Sequence, residues 1–258
     1  MFLQGGTAIR WCHNGSRFSE DLDFVIHGDA KFTDAVMNKI FQQLRREVIA
    51  HLGLGTLDIV FKKSSRAYSH VYYCDFVPDR ERGKISVKVE FEELIEDLSP
   101  HTDRMILSML PPVRRLIAAG EFRIPTPSSI ILVETMEEIL SDKIRALLER
   151  RYLKGRDFYD VWFLNSLGIT CTEENIKRKL TMYKTAFVQH RQIDFFLKPN
   201  KEERREIVEA VKQDLSRFLP PNEMAFFEGT DFDAVFDSLR IVLLPLRVMG
   251  KNDEGKVR

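Results

Sequence analysis

The sequence predicts an α+β fold in two parts, a mixed strand-and-helix half over residues 1–125 and a helical half over 126–258. Three observations support this. Short β-branched and aromatic runs are interspersed with helical ones in the first half, one of those runs alternates strictly, and strand patterns cease after a proline-rich bend.

In the first half LDFVIHG reads as a strand, DAVMNKIFQQLRREVIAHL as a helix, and LDIVFKK, HVYYCDFV and KISVKVEFE as further strands. Within the last, Ile85, Val87, Val89 and Phe91 alternate with Ser86, Lys88, Glu90 and Glu92, so one face packs and the other is polar. After the bend IPTPSS, IILVETMEEILSDKIRALLERRYL reads as one helix and KGRDFYDVWFLNSLG as another. In KEERREIVEAVKQDLSRFL, Ile207, Val208, Val211, Leu215 and Phe218 form a helical stripe. The terminal KNDEGKVR reads as a frayed tail.

Composition narrows the function classes. A chain of 258 residues, 44% hydrophobic, can bury a core, and its 39 basic and 39 acidic residues cancel, so no global field points to a polyanion or a membrane. Cys12, Cys74 and Cys171 are isolated, which argues against a disulfide framework or a zinc site and fits a reducing cytoplasm. No run approaches the roughly 18 apolar residues of a membrane span, and no signal peptide is recognisable. No histidine pair, Ser-His-Asp set or Cys-His set stands out.

The chemistry concentrates near the start, in GGTAIRWCHNGSRFSEDLDFVIHG. Gly5 and Gly6 precede a helix-like run, a pattern suited to a tight turn whose backbone N–H groups and helix dipole favour phosphate. It is not a P-loop, because no Gly-Lys-Ser/Thr follows, and a structural turn would also explain a glycine pair. Asp21 and Asp23 flank Leu22 at the entrance to a strand, so both side chains project from one face. Two carboxylates this close repel unless a cation joins them, and Mg²⁺ takes a few carboxylates together with nucleotide phosphates.

The conjunction of Gly-Gly-Thr-Ala, a short helix and Arg17-Phe18-Ser19-Glu20-Asp21-Leu22-Asp23 resembles the signature of the AbiEii/AbiGii toxin family, which has the DNA polymerase β-like nucleotidyltransferase fold. The likeness continues in Asp142-Lys143-Ile144-Arg145-Ala146-Leu147 and in Arg156-Asp157-Phe158-Tyr159-Asp160, and it spans residues 3–168. Family members carry a helical segment before the glycines, whereas this chain begins almost on them. The resemblance implies a mixed sheet with flanking helices followed by a helical domain that completes the active-site cleft.

It also implies roles. Asp21 and Asp23 would bind Mg²⁺, and Glu90, on the polar face of its strand, would supply a third carboxylate for metal or for the attacking hydroxyl's proton. Asp58 in LDIVF competes for that third position. Gly5, Gly6, Thr7 and Ser19 would hold the nucleotide, Lys143 would neutralise phosphate charge, and Asp157 would belong to the catalytic set. Asp160 would pack the helix or support the site from behind, and Tyr159 and Trp162 would be core.

The implied activity is transfer of an NMP from an NTP by the toxin half of a bacterial toxin–antitoxin pair, acting in the cytoplasm. MenT-type relatives modify the tRNA 3′ end, so tRNA is the expected acceptor. The basic stretch Lys143, Arg145, Arg150, Arg151, Lys154 and Arg156 can track a polynucleotide backbone, although a solvated helix face produces the same pattern. A small molecule such as an antibiotic and a protein remain alternative acceptors. An inactive nucleotide-binding module is a further alternative, against which Asp21, Asp23 and Lys143 argue.

Overall fold

The structure, a computed structural model, describes residues 1–27, 34–52, 55–63, 67–78, 83–121 and 128–246. Most of the proline-rich bend and the C-terminal KNDEGKVR lie outside the described residues. The chain divides into two compact units. The first comprises Met1–Asn14, Glu20–Glu134 and Tyr183–Thr185, and the second Gly15–Ser19, Thr135–Met182 and Ala186–Arg258.

The first unit contains β1 (Phe2–Gln4), α1 (Gly5–Cys12), β2 (Leu22–His27), α2 (Asp34–Leu52), β3 (Gly55–Lys63), β4 (Ser69–Pro78), β5 (Ile85–Leu94), β6 (Thr102–Ile106), α3 (Pro111–Ala118) and β7 (Ile130–Glu134). Its strands form one mixed sheet in the order β3-β4-β5-β2-β1-β7-β6, with β2–β5 and β1–β7 parallel. The alternation read in β5 decides the two faces of this sheet. Leu22, Phe24 and Ile26 of β2 lie on the side of Val87, Val89 and Phe91 of β5, where Tyr72, Cys74, Phe76 and Leu57 continue the apolar layer. Met37 and Phe41, one helical turn apart on α2, cover it, and Arg45, a turn further, donates from Nε to the Leu57 carbonyl at 2.8 Å. The opposite face of β2 and β5 carries Asp23, Lys88 and Glu90.

The stretch expected as a single helix from Ile130 is divided. Ile130–Glu134 is a strand that pairs with β6 (Ile106↔Ile130) and with β1 (Leu3↔Val133). A β-branched run next to two available strand edges satisfies its backbone in the sheet, and tertiary pairing overrides helical pattern. Thr135 then caps α4 (Met136–Glu149), its side chain accepting the Glu138 N–H at 3.4 Å.

The second unit continues with α5 (Gly155–Ser166), α6 (Glu173–Thr181), α7 (Ile193–Leu197), α8 (Lys201–Phe218), α9 (Pro221–Gly229) and α10 (Asp233–Leu243). The α8 stripe is buried at Ile207, Val211, Leu215 and Phe218. Asn200 and Glu203 close a capping box at its start, which satisfies helix N–H groups that have no intrahelical acceptor. Helix α5 is the hub, with Phe158, Tyr159, Val161 and Leu164 inaccessible to solvent.

At the first residue of α5 the backbones nearly touch: a Cβ on Gly155 would stand 2.7 Å from the Val211 Cα and closer still to the Ala210 carbonyl oxygen. A side chain there forces α5 and α8 apart. Gly155→Ala is expected to destabilise the protein by about 1–3 kcal/mol, the usual range for overpacking, read as a lowered urea midpoint with unchanged m-value.

Candidate active site

The site in the first unit is built where β1, α1 and β2 meet. Gly5 has φ +73°, a conformation that only glycine adopts without strain. A Cβ added there would lie 2.8 Å from Asp23 Oδ2. Glycine is therefore required twice, for the turn into α1 and for the space that the Asp23 carboxylate occupies. The register Gln4↔Asp23 brings the two together. Thr7, one turn into the helix, donates its hydroxyl to the Asp21 carbonyl, fixing the backbone between the two aspartates. Gly6 is buried in the same turn, and no side chain caps the start of α1.

Glu90 is the residue that β5 places directly beside Asp23 in the parallel register, one strand spacing of about 4.8 Å away. Asp58 sits on β3, separated from β2 by β4 and β5, about 14 Å across the sheet. The sheet thus brings Asp21, Asp23 and Glu90 together and leaves Asp58 outside. Ser69 Oγ donates to Glu90 Oε1 at 3.0 Å, and Lys88 Nζ pairs with Glu90 Oε2 at 2.6 Å. Burial alone would lower the Lys88 pKa. The attraction of Glu90, its hydrogen bond, and the charges of Asp23 and Asp21 outweigh this and hold the pKa above the usual lysine value. Among the described residues no group of three or more His, Cys, Asp or Glu is arranged as a metal cage. The aspartate pair stands at the start of β2, with Glu90 alongside but bonded to serine and lysine.

The remaining expected residues belong to the helical unit and form a separate buried network. Lys143 Nζ lies 2.8 Å from Asp160 Oδ2 and 3.1 Å from Asp157 Oδ1. Arg17 grips Asp160 with two parallel bonds, Nε to Oδ1 at 2.5 Å and Nη2 to Oδ2 at 2.7 Å, and Arg150 Nε stands 3.1 Å from Asp157 Oδ2. Arg17 is 3% exposed and Asp160 is 0% exposed. Burial raises the carboxyl pKa values. For Asp157 this is outweighed by Arg150, Lys143 and Lys154, and for Asp160 by Arg17 and Lys143, so both lie below the ordinary range. Lys143 is held above its usual value, Asp160 and then Asp157 overcoming desolvation.

Around Arg17 the segment Gly15–Ser19, which includes Ser19, is anchored in the same unit. Ser16 Oγ bonds Tyr159 Oη and Glu223 Oε2, each at 2.7 Å, and the Phe18 N–H donates to the Phe218 carbonyl at 2.9 Å. Two features lie beyond the roles expected from sequence: the Arg17–Asp160 clamp, which joins residues 143 apart, and the Lys88–Glu90 pair. The strand period, which puts Lys88 and Glu90 on one face, was the available signal for the second.

Removing one partner of a buried, hydrogen-bonded ion cluster strands the others. Asp160→Asn is expected to cost about 3–5 kcal/mol at pH 7. Because the folded-state pKa values of Asp157 and Asp160 lie below the unfolded one near about 3.9, their stabilisation is present above that pH and is lost as pH falls through the folded values. Urea titrations from pH 7 to 3 should show a shallower acid loss in Asp160→Asn than in the unchanged protein. Gly5→Ala should destabilise by at least about 1–2 kcal/mol through its left-handed backbone alone.

The comparisons with known proteins agree with this architecture. The crystal structure of JHP933 from Helicobacter pylori superposes with a TM-score of 0.52 at 17% identity, covering 98% of this chain and 88% of that one, so the two share a fold. A second H. pylori structure reaches a TM-score of 0.47 at 18% identity over 93% of this chain and 88% of its own. Among curated proteins none matches. The family model described as "Nucleotidyl transferase AbiEii toxin, Type IV TA system" matches residues 1–238, which contain every motif discussed above. The chain belongs to the AbiEii family and is a nucleotidyltransferase.

Proposed function

We propose that the protein transfers a nucleoside monophosphate from an NTP to the 3′ end of tRNA, with Mg²⁺ as cofactor, and that it does so as the toxin of a toxin–antitoxin pair with a cognate antitoxin partner. The observation that carries this reading is the meeting of Asp23 with Gly5 on one side and Glu90 on the other. A carboxylate pair on one face, beside an uncapped helix start, suits a hard cation that keeps most of its octahedron for water and phosphate. The attraction of Lys88 to Glu90, Asp23 and Asp21 marks the same negative potential.

In this reading Asp21 and Asp23 hold the ion, and Mg²⁺, when bound, supplies charge neutralisation and polarisation at the triphosphate. Gly5 and Gly6 present backbone N–H groups to phosphate, Thr7 keeps Asp21 in place, and Ser19 adds a nucleotide contact. Glu90 is the candidate acceptor for the proton of the attacking hydroxyl, or a further metal ligand. The acceptor oxygen bonds to the α-phosphorus and pyrophosphate leaves. Lys143 is the cation for the outgoing phosphates, with Asp157 as its orienting partner.

For the acceptor, Lys143 and Arg145 are buried and ion-paired, with Asp157, Asp160 and Glu149. Contact with a polynucleotide backbone falls instead to the exposed Arg151 and the half-buried Lys154 and Arg156, beside the exposed Tyr152. Among the described residues no helix is long and apolar enough to cross a membrane, and a toxin acting on tRNA works in the cytoplasm.

The test is incubation of the purified protein with each α-³²P-NTP, Mg²⁺ and either total tRNA, cell protein or aminoglycosides. Label is expected in tRNA and to vanish with Asp21→Ala. Label in protein or aminoglycoside instead would replace the acceptor. Label nowhere would overturn nucleotidyl transfer to any of these acceptor classes.

A further inference from the structure

Lys88 has no role in the reaction described above, yet it stands among its acidic groups. It is two residues before Glu90 on β5 and therefore on the same face, and Leu22↔Val89 sets Lys88 and Glu90 against Asp21 and Asp23 of the neighbouring strand. Its Nζ is 2.6 Å from Glu90 Oε2, and the two side chains are only 25% and 23% exposed, so water screens the pair incompletely. On its other side Lys88 faces Tyr73 of β4, whose ring carries Lys62 Nζ at 4.9 Å from its centroid. The nearby Asp75 is already bonded to Lys84 and Ser86. Lys88 thus places its ammonium among three carboxylates, one of which it bonds directly.

We infer that Lys88 couples metal uptake to nucleotide binding: its ammonium acts as the counter-cation of Asp21, Asp23 and Glu90 in the nucleotide-free protein and moves onto triphosphate oxygen when an NTP arrives. The inference rests on the Mg²⁺ reading of the aspartate pair. A positive charge resting beside the carboxylates opposes a divalent ion by simple Coulomb repulsion and keeps Glu90 engaged. Phosphate offers that ammonium a second partner, which removes the repulsion and releases Glu90 together. Metal affinity is then low without nucleotide and high with it. Lys88 is in this sense a positioning residue.

The test measures Mn²⁺ binding by calorimetry or electron paramagnetic resonance on the full chain, with and without a non-hydrolysable NTP analogue. Without nucleotide, Lys88→Met should bind Mn²⁺ more tightly than the unchanged protein by about tenfold or more, Lys88→Arg should bind weakly like the unchanged protein, and Asp21→Asn should abolish binding. The gain in Mn²⁺ affinity on adding the analogue should shrink in Lys88→Met. A merely structural Lys88–Glu90 pair would alter the urea midpoint and leave both metal readouts unmoved, which would overturn the inference. Should Lys88→Met fold poorly, Lys88→Gln keeps a polar side chain of similar reach without the charge and decides the same question. If the unchanged protein binds Mn²⁺ through Asp21 but the Lys88 variants do not differ, only the Lys88 inference falls. If it binds no Mn²⁺ even with the analogue, the metal reading itself falls.

Discussion

The missing side chain of Gly5 is the constraint from which the site in the sheet unit follows. Asp23 Oδ2 occupies the place that a Cβ would take, and the same residue holds the left-handed turn that converts β1 into α1. Any other residue would have to displace the carboxylate or relax the turn. Thr7 adds a second tie, from the helix to the backbone at Asp21. The start of the helix and the two aspartates are therefore one local structure, although the residues between them, 15–19, are assigned to the other unit.

The two units treat their carboxylates in opposite ways. In the helical unit Asp157 and Asp160 are enclosed by the cations Arg17, Lys143 and Arg150. Such a cluster holds structure, because desolvated charges are tolerable only when each has its partner. In the sheet unit Asp21, Asp23 and Glu90 stand together on one face with Lys88 among them, paired with Glu90. Lys143 belongs to the first kind of environment, where its carboxylate partners fix the position of its ammonium.

The local elements were legible because their causes are local. The alternation of β5 and the stripe on α8 each depend on residues within a few positions of one another, and each corresponds to an element in the structure. Ile130–Glu134 is a strand where the sequence predicts helix, because a short apolar β-branched run has no period that separates a buried strand from a buried helix, and its pairing partners are remote in the chain. Gly155 illustrates the same limit: KGRD gives no sign that the first residue of α5 meets the α8 backbone.

By itself, the sequence determined the α+β class, helices beyond the strand Ile130–Glu134, and the motif blocks that carry the nucleotidyltransferase family, since periodicity and motif spacing are properties of the chain. Tertiary structure decided which carboxylate stands beside Asp23, that Lys88 is drawn among the acidic groups, and that Arg17 closes on Asp160. The physical reason is that strand register and the burial of opposite charges are set by contacts between segments far apart in the chain, where no spacing rule reaches.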